Sequence, residues 1–154
     1  MSLAGAVIAG LAATFVIWVT TRLSTMNLMG LERYLGTLFT KTENTTVGFL
    51  LLYLLGVVFG LIYAALWSVG IGWIGYLYGV IFGIVQWLVI GVVIGSLPAV
   101  HAGIRSGRVK APGIFMIDLA GLWAIPAGLA NNALFGLTFA FVYQFFASRY
   151  DWVG

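Results

Sequence analysis

Residues 71–97 read IGWIGYLYGVIFGIVQWLVIGVVIGSL. No Asp, Glu, Lys, Arg or His interrupts them, and Pro98 closes the run. A helix that crosses the hydrocarbon of a bilayer needs about 20 mostly apolar residues. The run therefore predicts a membrane span. Three more stretches read the same way: 3–21, ended by Arg22; 46–67; and 127–147, ended shortly by Arg149. None of the four holds Asp, Glu, Lys, Arg or His.

Composition agrees. Of 154 residues, 62% are hydrophobic and only 7% are charged. Mean hydropathy is +1.11. Soluble domains carry about a quarter charged residues, so a soluble or disordered chain is excluded. The fold expected is all-α and integral to the membrane. Its four transmembrane helices occupy one membrane domain, residues 1–154. The absence of cysteine removes disulfides, thiolate metal sites and cysteine nucleophiles. The net charge of +3 is read as a topology and lipid-headgroup signal, not as a nucleic-acid surface. Residues 1–5 hold no Lys or Arg, so the first apolar stretch is expected to stay as a span.

Two connections carry pattern of their own. Residues 27–39 (NLMGLERYLGTLF) place Leu28, Leu31, Leu35 and Leu38 at helical spacing, with Glu32 and Arg33 off the stripe. That predicts a short interfacial amphipathic helix. Residues 113–125 lie between Pro112 and Pro126 and hold one charge, Asp118. Thirteen residues are short for a span, so an interfacial or re-entrant helix is expected there; a fifth span is the alternative. Asp118 is expected to pair with Arg105 or Arg108.

With four spans, loops 22–45 and 98–126 share one side. They carry Arg22, Arg33, Lys41, Arg105, Arg108 and Lys110, against Arg149 alone on the other side. The positive-inside rule makes those loops cytoplasmic and both termini external. The expected location is a prokaryotic inner (cytoplasmic) membrane.

The halves, about 1–68 and 69–154, resemble each other. FGLIYA (59–64) matches FGLTFA (135–140) at an offset of 76, and Gly10, Thr14 and Trp18 match Gly79, Gly83 and Trp87 at an offset of 69. Each half has two spans, so the duplication predicts two parallel repeats about an axis along the membrane normal, each with a short interfacial helix.

Small residues form rows: Gly75, Gly79, Gly83, Gly91 and Gly95; Gly56 and Gly60; Gly128 and Gly136; Gly5, Ala9 and Ala13. Close backbone approach through such rows holds membrane helices together. The rows are read as packing within the bundle, with a partner subunit or a flat cofactor as the sharper alternative. Gln86, Asn131 and Asn132 are the candidate polar ligands at membrane depth. Adjacent side chains point about 100° apart on a helix, so Asn131 and Asn132 cannot serve one partner. His101, the only histidine, is a candidate axial ligand for haem or chlorophyll. Carotenoid and quinone are the other pigments and cofactors considered. Arg105, Arg108 and Lys110 form a basic turn suited to lipid headgroups or a partner; it lacks the phosphate-loop pattern. Trp67, Trp73, Trp123 and Trp152 lie near expected span ends, where aromatic anchors belong.

GAVIAGLAAT (5–14), the FGxxYA run at 59–64, Gly83 to Trp87 followed by Leu97-Pro98, and the second FG run at 135–140 resemble an uncharacterised prokaryotic family of small four-helix integral membrane proteins. The resemblance implies a fold and no activity. Relatives in that family carry His near the starts of the second and fourth spans. This chain has Leu52, Tyr53, Asn131 and Asn132 there, so the resemblance does not carry over a metal or haem role based on those histidines.

The sequence shows no nucleotide fingerprint and no paired carboxylates in a span. The function expected is a non-catalytic accessory or scaffold subunit. It would pack against other integral membrane subunits of a larger complex, respiratory or photosynthetic, with membrane lipids around it. The alternatives are a small transporter or channel for a neutral or apolar solute, and a pigment or quinone binder.

Overall fold

The computed structural model describes residues 1–23, 31–39 and 44–150. The chain is an all-α membrane protein, with no strand among the described residues. Its helices are α1 (Leu3–Leu23), α2 (Leu31–Gly36), α3 (Thr45–Ser68), α4 (Tyr76–Ile94), α5 (Ala102–Arg105), α6 (Ile117–Ala120) and α7 (Ala124–Tyr150). Four are long and apolar enough to cross a membrane: α1, α3, α4 and the stretch that contains α7. The second span matches its sequence limits to within a residue at each end. Asn44 caps it, its side chain accepting from the Val47 amide at 3.0 Å, as an N-cap should.

The third span is shorter than its charge-free run. Gly70 and Gly72 adopt φ of +84° and +77°, so residues 69–75 turn the chain before α4 begins. Gly75 is the residue that precedes the helix and Gly95 the one that follows it. Residues 113–125 form no single helix and no fifth span. Two 3-10 turns, Ile114–Met116 and Gly121–Trp123, flank the one-turn α6. Phe115 (φ 53°), Met116 (φ 63°), Gly113 and Gly121 are left-handed, and a right-handed helix cannot run through them. Of the expected interfacial helix at 27–39, the described part is α2; Leu28 lies outside the described residues. Glu32 and Tyr34 on it are buried.

Helix α1 packs on both α3 and α7, and α7 packs on α4. The α1–α3 and α4–α7 pairs meet backbone to backbone. A Cβ on Gly10 would strike the Gly56 carbonyl, and one on Gly60 the Ala6 carbonyl. A Cβ on Gly79 or Gly136 would strike the other's carbonyl, and one on Gly83 the Asn132 carbonyl. α3 and α4 meet through side chains instead: Tyr63 and Trp67 lie against Phe82, with ring centroids 5.3 and 5.8 Å apart. Those rings, with Phe135, Phe139 and Tyr143, form one buried cluster with Ala6, Ala9 and Ala13. Trp67 is therefore core, not an interface anchor, whereas Trp73 and Trp123 are exposed. Trp152 lies outside the described residues.

The two loops meet at one end of the bundle. The amides of Ala102 and Gly103 donate to the carbonyls of Leu38 and Thr37, both at 3.0 Å. At the other end the Ser2 amide donates to the Tyr143 hydroxyl at 3.1 Å.

Candidate functional site

The glycine contacts set the position of the polar residues. Gly83 lets α4 approach α7 at Asn132, and Gln86 lies one turn along the same face. The Gln86 Nε2 then donates to Asn132 Oδ1 at 2.9 Å. From the opposite side, the Tyr63 hydroxyl donates to Gln86 Oε1 at 2.6 Å. Asn132 Nδ2 finishes the chain by donating to the Gly128 carbonyl at 2.9 Å. A hydrogen-bonded line thus joins α3, α4 and α7 in the middle of the bundle. Interhelical bonds of this kind contribute about 0.6 kcal/mol each on average. They also set register, because each acceptor has its donor at one depth only.

Sequence reasoning found Gln86 and Asn132 but missed Tyr63. The available signal was its place on the face of Gly56, Gly60 and Trp67. Asn131 does not join the line. Both Gln86 and Asn132 are engaged with neighbours in the same chain, so their first role is to join helices.

The five-glycine row on the third span divides. Gly79 and Gly83 meet α7. Gly91 and Gly95 face the side chains of Phe115 and Ile114, so they seat the 113–123 segment. Gly75 meets only Trp73 of its own turn and does not pack helices. Gly128 lies beneath the Trp87 ring, and Gly56 faces the Thr14 hydroxyl. Apart from Gly75, every glycine expected to pack helices thus meets another part of the same chain.

His101 is fully buried at the loop junction. Its Nδ1 accepts from the Ile104 amide at 3.2 Å, capping α5. Its Nε2 lies 3.0 Å from the Tyr34 carbonyl, which accepts from the protonated nitrogen of that tautomer. The ring also packs on Tyr34, centroids 4.5 Å apart. With both nitrogens engaged and no exposure, His101 has no lone pair to offer iron or magnesium; the axial-ligand expectation is corrected to a latch between loops. Burial pushes the Tyr34 phenol up to about 12, and its hydroxyl has no hydrogen-bond partner.

Beside the latch, buried Glu32 pairs with half-exposed Arg22, whose guanidinium lies 5.1 Å over the Trp18 ring. Removing one partner of a buried pair leaves the other charge uncompensated. Arg22→Leu is expected to lower stability by about 2–3 kcal/mol. Arg22→Leu/Glu32→Leu should recover most of that loss. Detergent unfolding of the three proteins checks this, and a double variant no more stable than Arg22→Leu would contradict it.

The basic turn is exposed at Arg105, Arg108 and Lys110. Lys110 Nζ donates to the Asp118 backbone carbonyl at 2.6 Å. The expected pairing of Asp118 with Arg105 or Arg108 does not form; among the described residues the one ion pair is Arg22–Glu32.

In comparison with known proteins, no family model, no curated protein and no solved structure matches the chain.

Proposed function

We propose that the chain is a non-catalytic structural subunit of a larger membrane complex. It presents its outer helix faces to neighbouring subunits and lipid. One observation carries this reading: the polar groups that join the helices, Tyr63, Gln86 and Asn132, and every glycine of the rows except Gly75 engage other parts of the same chain. What faces outward from the spans is uncharged and apolar, such as Leu54, Ile62, Val85, Val89 and Phe141. Such a bundle is built to hold a shape. The loop end is placed in the cytoplasm of a prokaryotic inner membrane and both termini outside, on the excess of Lys and Arg in the loops.

The bundle is read as two parallel repeats. The contacts support this at the two offsets. Gly10 on Gly60 corresponds to Gly79 on Gly136, and Thr14 on Gly56 corresponds to Gly83 on Asn132. The polar side chain has changed helix between halves while the glycine opposite it has changed too. The repeat also accounts for the one asymmetry. Ala9 and Ala13 correspond to Tyr78 and Phe82, so α1 lies close to α7 while aromatic rings prop α4 away from α3.

The second reading is a path for a neutral solute between α3 and α4, where side chains and not backbones meet, past Tyr63 and Gln86. Flux in liposomes containing this chain alone separates the two. The structural reading predicts solute and ion leakage equal to protein-free liposomes, unchanged in Gln86→Leu. Flux that depends on Gln86 would overturn it in favour of transport.

A further inference from the structure

We propose that the 105–108 turn, on a loop that also exposes apolar side chains, is a binding site for anionic phospholipid headgroups. The charges at this end of the bundle are not equivalent. Arg22 is matched by Glu32, and Lys110 is directed to a backbone carbonyl. Arg105 and Arg108 are exposed and take part in no ion pair among the described residues.

The turn that carries them is fixed. The amides of Arg105, Ser106, Gly107 and Arg108 donate to the carbonyls of His101, Ala102, Ile104 and Gly103 at 2.9–3.0 Å. The Ser106 hydroxyl adds a bond to Gly103 at 3.1 Å. His101, the latch to the other loop, anchors its start. Little main-chain entropy is left to lose when an anion binds.

The surroundings decide which anion. Val100, Ile114, Leu122 and Trp123 are 66%, 55%, 75% and 76% exposed. They belong to the same 98–126 loop as the arginines, and Ile114 lies against Gly95 at the end of α4, where Val92 and Val93 are exposed. Apolar side chains continuous with a span belong at the boundary of headgroups and acyl chains, where tryptophan is favoured. Two exposed guanidiniums on the same loop match a phosphodiester, which arginine can grip bidentately. A soluble acidic protein would leave the apolar groups unmatched; a lipid covers both.

The test is native mass spectrometry of the purified chain titrated with phosphatidylglycerol or phosphatidylcholine. Each arginine near an anionic surface contributes about a 5-fold preference, from about 1 kcal/mol per charge. The wild type should therefore prefer phosphatidylglycerol, and Arg105→Gln/Arg108→Gln should lose about 25-fold of that preference. Its melting temperature should be unchanged, because both side chains are exposed. Arg105→Lys/Arg108→Lys should keep most of the preference. Three results would overturn the proposal: equal binding of the two lipids by the wild type, full preference in the folded Gln variant, or displacement of phosphatidylglycerol by inorganic phosphate. Arginine-dependent binding of an acidic soluble protein without any lipid preference would also overturn it and assign the surface to a protein.

Discussion

Gly136→Leu is expected to destabilise the bundle by about 3 kcal/mol or more. Leucine is the better helix former by somewhat under 1 kcal/mol, so local propensity alone would make the variant more stable. Packing decides otherwise. A Cβ at Gly136 collides with the Gly79 carbonyl and crowds the Gly83 amide. Both are backbone, and neither can rotate away as a side chain would. The α4–α7 pair must separate, and the Gln86–Asn132 bond is lost with it. Leu137, one residue further on and exposed, supplies the control: Leu137→Ala should change stability little. Unfolding in sodium dodecyl sulfate, or steric trapping in bicelles, measures both. A cost below about 1 kcal/mol for Gly136→Leu would show that α4 and α7 do not meet through their backbones.

The second large effect is a compensation. Gly56→Asn alone places a side chain on the Thr14 hydroxyl and should cost about 2–3 kcal/mol. Thr14→Gly alone removes the Thr14 Oγ1 bond to the Gly10 carbonyl (2.8 Å) and puts a glycine in a helix, costing about 1 kcal/mol. Together the two changes copy the Gly83–Asn132 arrangement of the other half. The double variant should be more stable than Gly56→Asn, with a coupling of about 2 kcal/mol. Additive losses would mean that the two interfaces are not equivalent, and the repeat reading would lose its main support.

Spans were legible because hydrocarbon excludes charge, and charge is visible in a sequence. Thr45–Ser68 shows how well that works when a cap such as Asn44 coincides with the end of the run. Tyr76–Ile94 shows where it fails. Residues 71–75 and 95–97 are as free of charge as the helix, and the sequence pattern carries no record of the positive φ at Gly72. Likewise, leucine spacing in 27–39 put Glu32 off the apolar stripe of an interfacial helix, and spacing alone names no partner for it. In the structure α2 packs on α3, and Glu32 is buried with Arg22 as its partner within the protein. His101 was misread for a related reason: its two acceptor and donor sites lie on Ile104 and Tyr34, and the second is far away in sequence. The glycine rows were visible as rows, but which row meets which is a property of the assembled bundle. Tyr63 was missed for the same reason, since its partner sits on another helix.

Isolation of an epitope-tagged chain from its native membrane in digitonin tests the structural-subunit reading most directly. The expected result is migration well above that of a single 16.6 kDa chain in its detergent micelle, with another integral membrane protein retained in fixed ratio after size exclusion. Migration as a lone monomer, with no protein in fixed ratio, would contradict it.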